Sequence, residues 1–157
     1  MIRFQEITLK KVTRLNLVSI LKLAVKPEQR NLVAPNAVSI AEAHFNKDAW
    51  FRAIYADKRP IGFVMIGDTS LKYNFNPNHQ PSYTLWRFMI DAKYQGKGYG
   101  KEAMKIIINH IKNRPKAKEL LLSHSKLEGN AGKFYKKLGF EYTGIEIDDE
   151  LVMSLKL

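Results

Sequence analysis

The sequence predicts an α+β domain in which a mixed sheet is flanked by helices. Two observations carry this prediction. Short alternating or apolar segments, typical of strands, occur between amphipathic segments with helical spacing. The segment Tyr83–Ile90 is apolar almost throughout, as expected for a strand buried on both faces. The 157 residues match the size of one domain and contain no recognisable linker or repeat, so residues 1–157 are expected to form a single domain.

The first third of the chain predicts one strand and two helices. Ile2–Glu6 alternates apolar and polar residues and is typical of a strand. Thr13 is a candidate cap for a helix that Pro27 ends. The apolar face of this helix consists of Leu17, Ile20, Leu21 and Ala24. Residues 26–37 are expected to form a loop, and the capping box at Ser39–Glu42 predicts a short second helix.

The middle of the chain predicts a hairpin, a long loop and a buried strand. Trp50–Ala56 and Ile61–Gly67 are predicted to pair, because the turn sequence Asp57–Pro60 separates them. Residues 68–81 are polar and predict a loop, and long loops in compact domains usually carry function or are disordered. Tyr83–Ile90 follows as the most apolar strand.

The last third predicts a helix, a strand, a short helix and a closing pair of strands. A glycine-rich turn precedes a strongly amphipathic helix that ends at residues 113–118. The core face of that helix consists of Met104, Ile107, Ile108 and Ile111. Glu119–Ser123 is typical of a strand and Ala131–Leu138 of a short helix. Residues 141–147 and 151–157 are expected to form the closing strands.

The composition excludes several classes of site. Without cysteine there are no disulfides, zinc ribbons, iron–sulfur clusters or thiol nucleophiles, and the four histidines lack metal-ligand spacing, so no metal site is expected. No apolar run approaches the roughly 20 residues of a membrane span, and the first residues lack the features of a signal peptide. We therefore expect a cytoplasmic protein without a membrane partner. The net charge of +11 either attracts a polyanion, such as a phosphorylated cofactor, or reflects a lysine-rich solvated surface.

The glycine-rich turn has the sequence context of an anion-binding site. It follows a strand and opens a helix, so glycines let the backbone approach a phosphate that the first helical N–H groups bind. It is not a P-loop, because Glu102 stands where Ser or Thr is needed. It is not a dinucleotide fingerprint either, because Lys101 takes the place of the third glycine. The remaining match is the pattern Q/R-x-x-G-x-G/A, met by Gln95, Gly98 and Gly100.

Two blocks of sequence carry a family resemblance. Residues 88–100, FMIDAKYQGKGYG, resemble the acetyl-CoA-binding motif of the GNAT acetyltransferases. Residues 131–140, AGKFYKKLGF, resemble that family's second block, A-x-x-L/F-Y-x-x-x-G-F. One helix and one strand separate the blocks, as in the family, and the predicted element order fits the GNAT fold, a central, mixed and mostly antiparallel sheet flanked by helices. Residues 25–36 and 138–144 are similar to bacterial spermine/spermidine acetyltransferases.

The resemblance implies acetyl-CoA as cosubstrate. Backbone N–H groups of residues 96–101 would bind the pyrophosphate, and the strand edge at 88–90 would pair with the pantetheine amides. The Ile90 N–H would polarise the thioester carbonyl. Glu128 occupies the position, seven residues before the tyrosine of the second block, where many members carry an asparagine near the pantetheine. The cofactor-binding residues so implied are Phe88, Met89, Ile90, Gln95, Gly96, Lys97, Gly98, Tyr99, Gly100, Lys101 and Glu128.

The resemblance also implies direct attack by the amine, with Tyr135 as the general acid. A phenol with a pKa near 10 suits a thiolate leaving group with a pKa near 8.5. The alternative is that Tyr135 only packs against its neighbours. Polyamine acetyltransferases of the animal type carry a glutamate base on the strand before the glycine turn, where this chain has Trp86, so that base does not carry over. Glu28 acting through water is one hypothesis for the base, and a plain loop glutamate is the other.

The expected acceptor is a primary amine, above all a polyamine such as spermine or spermidine. The charge of +11 opposes a cationic acceptor, but the stretch Glu146–Glu150 either supplies local negative charge or is a solvated hairpin turn. Glu28 and Trp86 are the candidate substrate-binding residues, Trp86 through a cation–π contact or else as part of the core.

Two rival functions stay open. The same fold could acetylate a protein amine, either a lysine or an N-terminus. A basic RNA-binding module without enzymatic activity is the second rival, but the chain lacks the usual motifs, so nucleic acid is not an expected partner. Its phosphate patch would consist of Lys112, Arg114, Lys116 and Lys118. A homodimer is also open, since many members of the family dimerise.

Overall fold

The computed structural model describes residues 5–73 and 77–157 of the chain. Within these ranges seven strands form one sheet. They are β1 (Ile7–Lys10), β2 (Ala49–Ala56), β3 (Arg59–Asp68), β4 (Tyr83–Ile90), β5 (Glu119–Ser125), β6 (Glu141–Ile147) and β7 (Glu150–Lys156). The helices are α1 (Leu17–Leu21), α2 (Asn36–Phe45), α3 (Ser70–Tyr73), α4 (Tyr99–Lys112) and α5 (Gly132–Lys137). The predicted class, a mixed sheet with flanking helices, is confirmed.

The strands lie in the order β1-β2-β3-β4-β5-β7-β6. Neighbours are antiparallel throughout, apart from β4 and β5, which run parallel. The long helix α4 makes the crossover between these two parallel strands, as a parallel connection requires. The order therefore puts the one parallel pair in the middle of the sheet.

Helices cover both faces of the sheet, which explains the almost uninterrupted apolar sequence of β4. On one face, Leu85 and Ile90 pack in a cluster with the core side of α4, where Ala103, Met104, Ile107 and Ile111 are buried. On the other face, Met89 packs with Ile20 of α1 and with side chains of β2 and β3. Two-sided burial follows from the parallel crossover, which brings α4 onto one face.

Three predicted boundaries near the N-terminus were wrong. The predicted strand at 2–6 lies partly outside the described residues, and the structure places β1 later, from Ile7. Helix α1 begins at Leu17 and ends at Leu21, well before Pro27. The cause is tertiary, because the Ala24 N–H donates to Asp91 Oδ2 at 3.0 Å and so ties the chain to the end of β4.

Helix α2 begins at Asn36, three residues before the predicted capping box. The proline at position 35 has φ −55° and precedes the first turn, where its fixed φ suits a helix start. The buried Asn36 amide donates to Ile20 O at 3.0 Å, which holds this turn against α1. The predicted loop at 68–81 also contains the short helix α3. Among the described residues, no helix is long and apolar enough to cross a membrane.

Candidate active site

The parallel strands β4 and β5 pair at only two positions and then separate. Thr84 lies opposite Leu121, and Leu85 lies opposite Leu122. Beyond these pairs β4 continues to Ile90 and β5 to Ser125 without a shared ladder. The gap between them is the floor of a cleft of about 970 Å³, which is within the size range of small-molecule sites. We call the point where the pairing stops the apex of this cleft.

A β-bulge at the apex explains why β4 turns away. Leu85 lies opposite Ile66 of β3 and Arg87 lies opposite Met65, so Trp86 is the extra residue. A bulge bends its strand and can terminate pairing. The indole of Trp86 covers Gly67, where a Cβ atom would come within 2.4 Å of Trp86 Cε2. The close packing of an indole on a glycine therefore holds the bulge in place.

Beyond the bulge, β4 has a free edge. The Asp91 N–H donates to Ile61 O at 2.8 Å, so by the antiparallel alternation Ile90, opposite Gly62, directs its own N–H and C=O away from β3. The same alternation applies to Phe88, two residues earlier. The backbone groups of both residues consequently face the cleft. The Ile90 C=O accepts from the Gln95 side chain, so the Ile90 N–H and both groups of Phe88 are left for a ligand that adds as a strand.

The glycine-rich turn forms the open end of the cleft. Gly96 and Gly98 adopt positive φ values of 73° and 83°, and a Cβ added to either would meet nothing within 4 Å. Gly98 is the N-cap of α4, and no side chain caps this end. The first intrahelical bond runs from the Glu102 N–H to Gly98 O at 3.2 Å, so the N–H groups of residues 99–101 have no intrahelical partner. These donors and the helix dipole make the turn a site for an anion.

Gln95 anchors the turn to both walls of the cleft. Its Nε2 donates to Ile90 O at 2.9 Å and to Gln29 Oε1 at 2.8 Å. Gln29 belongs to the segment 25–34, which follows α1 and lines the cleft opposite the glycine turn. The side chain thus fixes the position of this segment relative to the end of β4.

Tyr135 lies on α5 with its ring among aromatic neighbours. The ring packs edge-on against Phe134 and Phe140 at centroid distances of 5.2 and 5.7 Å. Tyr135 is 8% exposed, lines the cleft, and its hydroxyl has no hydrogen-bond partner among the described residues. Burial raises the pKa of the phenol above its usual value near 10. The hydroxyl is therefore protonated at neutral pH and free to donate to a ligand.

The face of the sheet that packs against α1 and α2, and not against α4, carries the polar groups of the apex. Arg87 pairs with Glu42 of α2 at 3.0 Å. Ser123, on β5, donates a short hydrogen bond to Glu150, the first residue of β7. Trp86, Arg87, Ser123 and Glu150 all line the cleft. These polar groups therefore line the apex end of the cleft, on the face of the sheet against which α1 and α2 pack.

Most of the residues predicted from the sequence line this cleft. Those that do are Trp86, Phe88, Met89, Ile90, Gln95, Gly96, Gly98, Gly100, Lys101 and Tyr135. The segment predicted as a glycine turn and the helix predicted to carry the tyrosine therefore meet at one site, although about 35 residues of chain lie between them.

Four predicted side chains lie outside the cleft wall. Lys97 Nζ turns back to Lys93 O at 3.0 Å, and the Tyr99 hydroxyl bonds to the side chain of Gln5. Glu128 and Glu28 are exposed, and their neighbours line the cleft instead. The roles of all four residues in the site stay predictions.

Several residues of the wall were not predicted as site residues from the sequence. Arg30 and Arg87 are the additional cations, and Ser123, His124 and Glu150 form the β5–β7 side. The β5–β7 side could have been predicted from one feature of the sequence. The apolar run Leu120–Leu122 changes to polar residues at the end of the strand, which is where parallel strands carry ligand-binding residues. Glu150 stood within a predicted acidic stretch, but nothing local distinguished it from its neighbours.

Comparisons with known proteins agree with this geometry. The chain is 32% identical over 155 residues to a spermine/spermidine N(1)-acetyltransferase of Bacillus subtilis, covering 96% of this chain and 99% of that protein. Its fold resembles the crystal structure of an acetyltransferase from Thermus thermophilus, with a TM-score of 0.74, 15% identity and coverage of 98% and 99% of the two chains. It also resembles Arabidopsis thaliana Naa50 in complex with a CoA-containing bisubstrate analogue, with a TM-score of 0.68, 21% identity and coverage of 96% and 99%.

A family model agrees with the motifs in the sequence and with the cleft. The model described as the acetyltransferase (GNAT) family matches residues 19–140, which include the glycine turn, the free edge of β4 and Tyr135. The length of this match and the 32% identity to a relative over nearly the whole chain each show the family to which the chain belongs. The chain belongs to the GNAT family of acetyltransferases.

Proposed function

We propose that the chain, acting as a single domain over residues 1–157, transfers an acetyl group from acetyl-CoA to a primary amine of a polyamine such as spermine or spermidine. The observation that carries the proposal is one continuous cleft with three kinds of group. It combines an uncapped helix N-terminus, a free strand edge and a buried phenol whose hydroxyl has no partner in the described part of the chain. The name of the B. subtilis relative supports the acceptor class.

The residues of the cleft fit acetyl-CoA as cosubstrate. The free N–H groups at 99–101 and the side chain of Lys101 would bind the pyrophosphate, and the open space in front of Gly96 and Gly98 admits it. The backbone N–H and C=O of Phe88 and the N–H of Ile90 would pair with the pantetheine amides and the thioester, since the Ile90 C=O already accepts from Gln95 Nε2. A chain that starts at the glycine turn and follows this edge leads toward the apex, so the thioester end would lie near Trp86 and Ser123.

The chemistry supplied by acetyl-CoA is an activated acetyl group on a thiolate leaving group. The amine nitrogen forms its bond to the acetyl carbon as the carbon–sulfur bond breaks, and the nitrogen releases its proton to solvent. The Ile90 N–H would donate to the thioester oxygen, and the Phe88 N–H, two residues nearer the apex on the same edge, is the alternative donor. Tyr135 donates its proton to the departing sulfur and regains one from solvent.

The structure weakens the RNA-binding alternative. Arg114 Nε donates to Asp68 Oδ2 at 2.7 Å, and Lys116 Nζ donates to Pro77 O at 2.7 Å. Two of the four cations of that predicted patch are therefore engaged within the protein. Acetylation of a protein amine remains the competing outcome of the test.

Thiol release from acetyl-CoA tests the proposal with spermine, spermidine, free amino acids and a lysine peptide. We expect turnover with the polyamines and a fall in kcat of about 10²- to 10⁴-fold on Tyr135→Phe. Tyr55→Phe is the matched control, because this buried tyrosine lies on β2, away from the cleft wall, and bonds to Asn16. Turnover with the peptide alone would overturn the polyamine acceptor. An undiminished kcat in Tyr135→Phe would overturn the general acid.

A further inference from the structure

The charges of the cleft wall are uneven. Among the described residues that line it, Glu150 is the sole carboxylate, and Arg30, Arg87 and Lys101 are the Lys and Arg side chains. Lys101 belongs to the glycine turn, and Arg87 is paired with Glu42 at 3.0 Å. Negative charge inside the cleft is thus confined to one side chain on the β5–β7 side.

The fold places Glu150 beside the apex. Glu150 begins β7 opposite Ser125, the last residue of β5. Its Oε2 accepts the hydroxyl of Ser123, which is the first residue of β5 beyond the last pair with β4. One carboxylate oxygen is thereby oriented by a hydroxyl, and its other oxygen has no partner among the described residues.

An aromatic ring lies on the same face of the sheet. Leu122 packs in the cluster under α4, so the next residue, Ser123, points to the opposite face. Trp86 packs with the cluster on that opposite face, and it is the first residue of β4 beyond the apex. A carboxylate and a half-buried indole therefore flank the same opening.

We propose that Glu150 and the indole of Trp86 bind the terminal ammonium group at the end of the acceptor remote from the reacting nitrogen and thereby select amines with two charged ends. A carboxylate and an aromatic face each stabilise an alkylammonium ion in proteins. A carboxylate in contact also favours the charged form of an amine. This suits a nitrogen that stays protonated and does not suit the nitrogen that attacks, which must be neutral.

The inference rests on the proposed function, and a pair of acceptors tests it separately. Spermidine and N-butyl-1,3-diaminopropane share the aminopropyl amine and the secondary amine, but the second compound lacks the terminal ammonium of the butyl arm. We expect the KM for spermidine to be about tenfold or more below the KM for N-butyl-1,3-diaminopropane, which is the usual effect of one charged contact. Glu150→Gln should remove this preference by raising KM for spermidine, with kcat nearly unchanged.

Glu146→Gln is the matched control, because Glu146 lies on the same hairpin but pairs with Lys126 at 2.6 Å outside the cleft. It should keep the preference for spermidine. A Glu150→Gln protein that still prefers spermidine, or that loses kcat at constant KM, would overturn the inference while leaving acetyl transfer to polyamines intact. Absence of turnover with both amines would instead overturn the proposed acceptor class, and this inference with it.

Discussion

Replacing Gly98 by alanine is expected to weaken acetyl-CoA binding more than it weakens the fold. Gly98 has φ +83° at the N-cap of α4, and the space around its Cβ position is empty for at least 4 Å. The left-handed conformation disfavours a residue with a side chain by about 1–2 kcal/mol. Because no protein atom is close enough to clash, this strain is the whole expected effect on the free energy of unfolding.

The effect on the ligand comes from the same open space. A backbone that binds a phosphate needs the ligand within hydrogen-bond distance of its N–H groups, and a methyl group at position 98 either intrudes there or shifts the turn. Loss of one hydrogen bond to a charged group is worth about 1.5–3 kcal/mol, which corresponds to about a ten- to hundredfold rise in Kd. The melting temperature should fall by about 2–4 °C per kcal/mol of strain for a chain of this size.

Gly144→Ala is the control that separates the effect of backbone strain on stability from the effect on acetyl-CoA binding. Gly144 has φ +82°, and its Cβ position is equally open, but it lies on the exposed edge strand β6 outside the cleft. Both variants should lose similar stability in thermal melts, whereas calorimetric titration with acetyl-CoA should show weaker binding in Gly98→Ala alone. If Gly98→Ala binds acetyl-CoA as tightly as the unmodified protein, the glycine turn is not the phosphate site.

Two further predictions concern stability. Burial and the nearby charge of Arg114 lower the pKa of His110 below its usual 6.5, so the unfolded state takes up the proton first and stability is lost as the pH falls below about 6.5. Urea unfolding of His110→Gln between pH 7.5 and 5 should show a smaller loss of stability than the unmodified protein shows, and parallel curves for the two proteins would contradict the shift. Asp68→Asn should lower the free energy of unfolding by about 3 kcal/mol, because the Asp68 side chain is 1% exposed and its partner Arg114 would lose its countercharge. In the double variant Asp68→Asn/Arg114→Leu, the loss of unfolding free energy should be smaller than the sum of the losses in the two single variants. Strictly additive losses in urea unfolding would contradict a stabilising interaction between Asp68 and Arg114.

Local patterns were sufficient for most of the fold. Strand β4 was predicted with its observed bounds, Tyr83–Ile90, because an apolar run between turn residues is a short-range signal. Helix α4 followed from the spacing of its apolar face and from the glycines before it. The start of α2 was missed because Pro35 and a buried contact of Asn36 outweighed the capping box at Ser39.

The sequence alone determined the local patterns on which the proposed chemistry depends. Glycines at 96, 98 and 100 before a strong helix indicate an anion site, because these residues are only a few positions apart, and the family resemblance of the block around Tyr135 implies a proton donor. The tertiary structure decided where this chemistry acts. The apex depends on an extra residue, Trp86, in the ladder between β3 and β4, and Glu150 reaches it only through its register with β5. Pairings between strands distant in sequence leave no periodic pattern in either strand, so the β5–β7 side of the cleft emerged only from the fold.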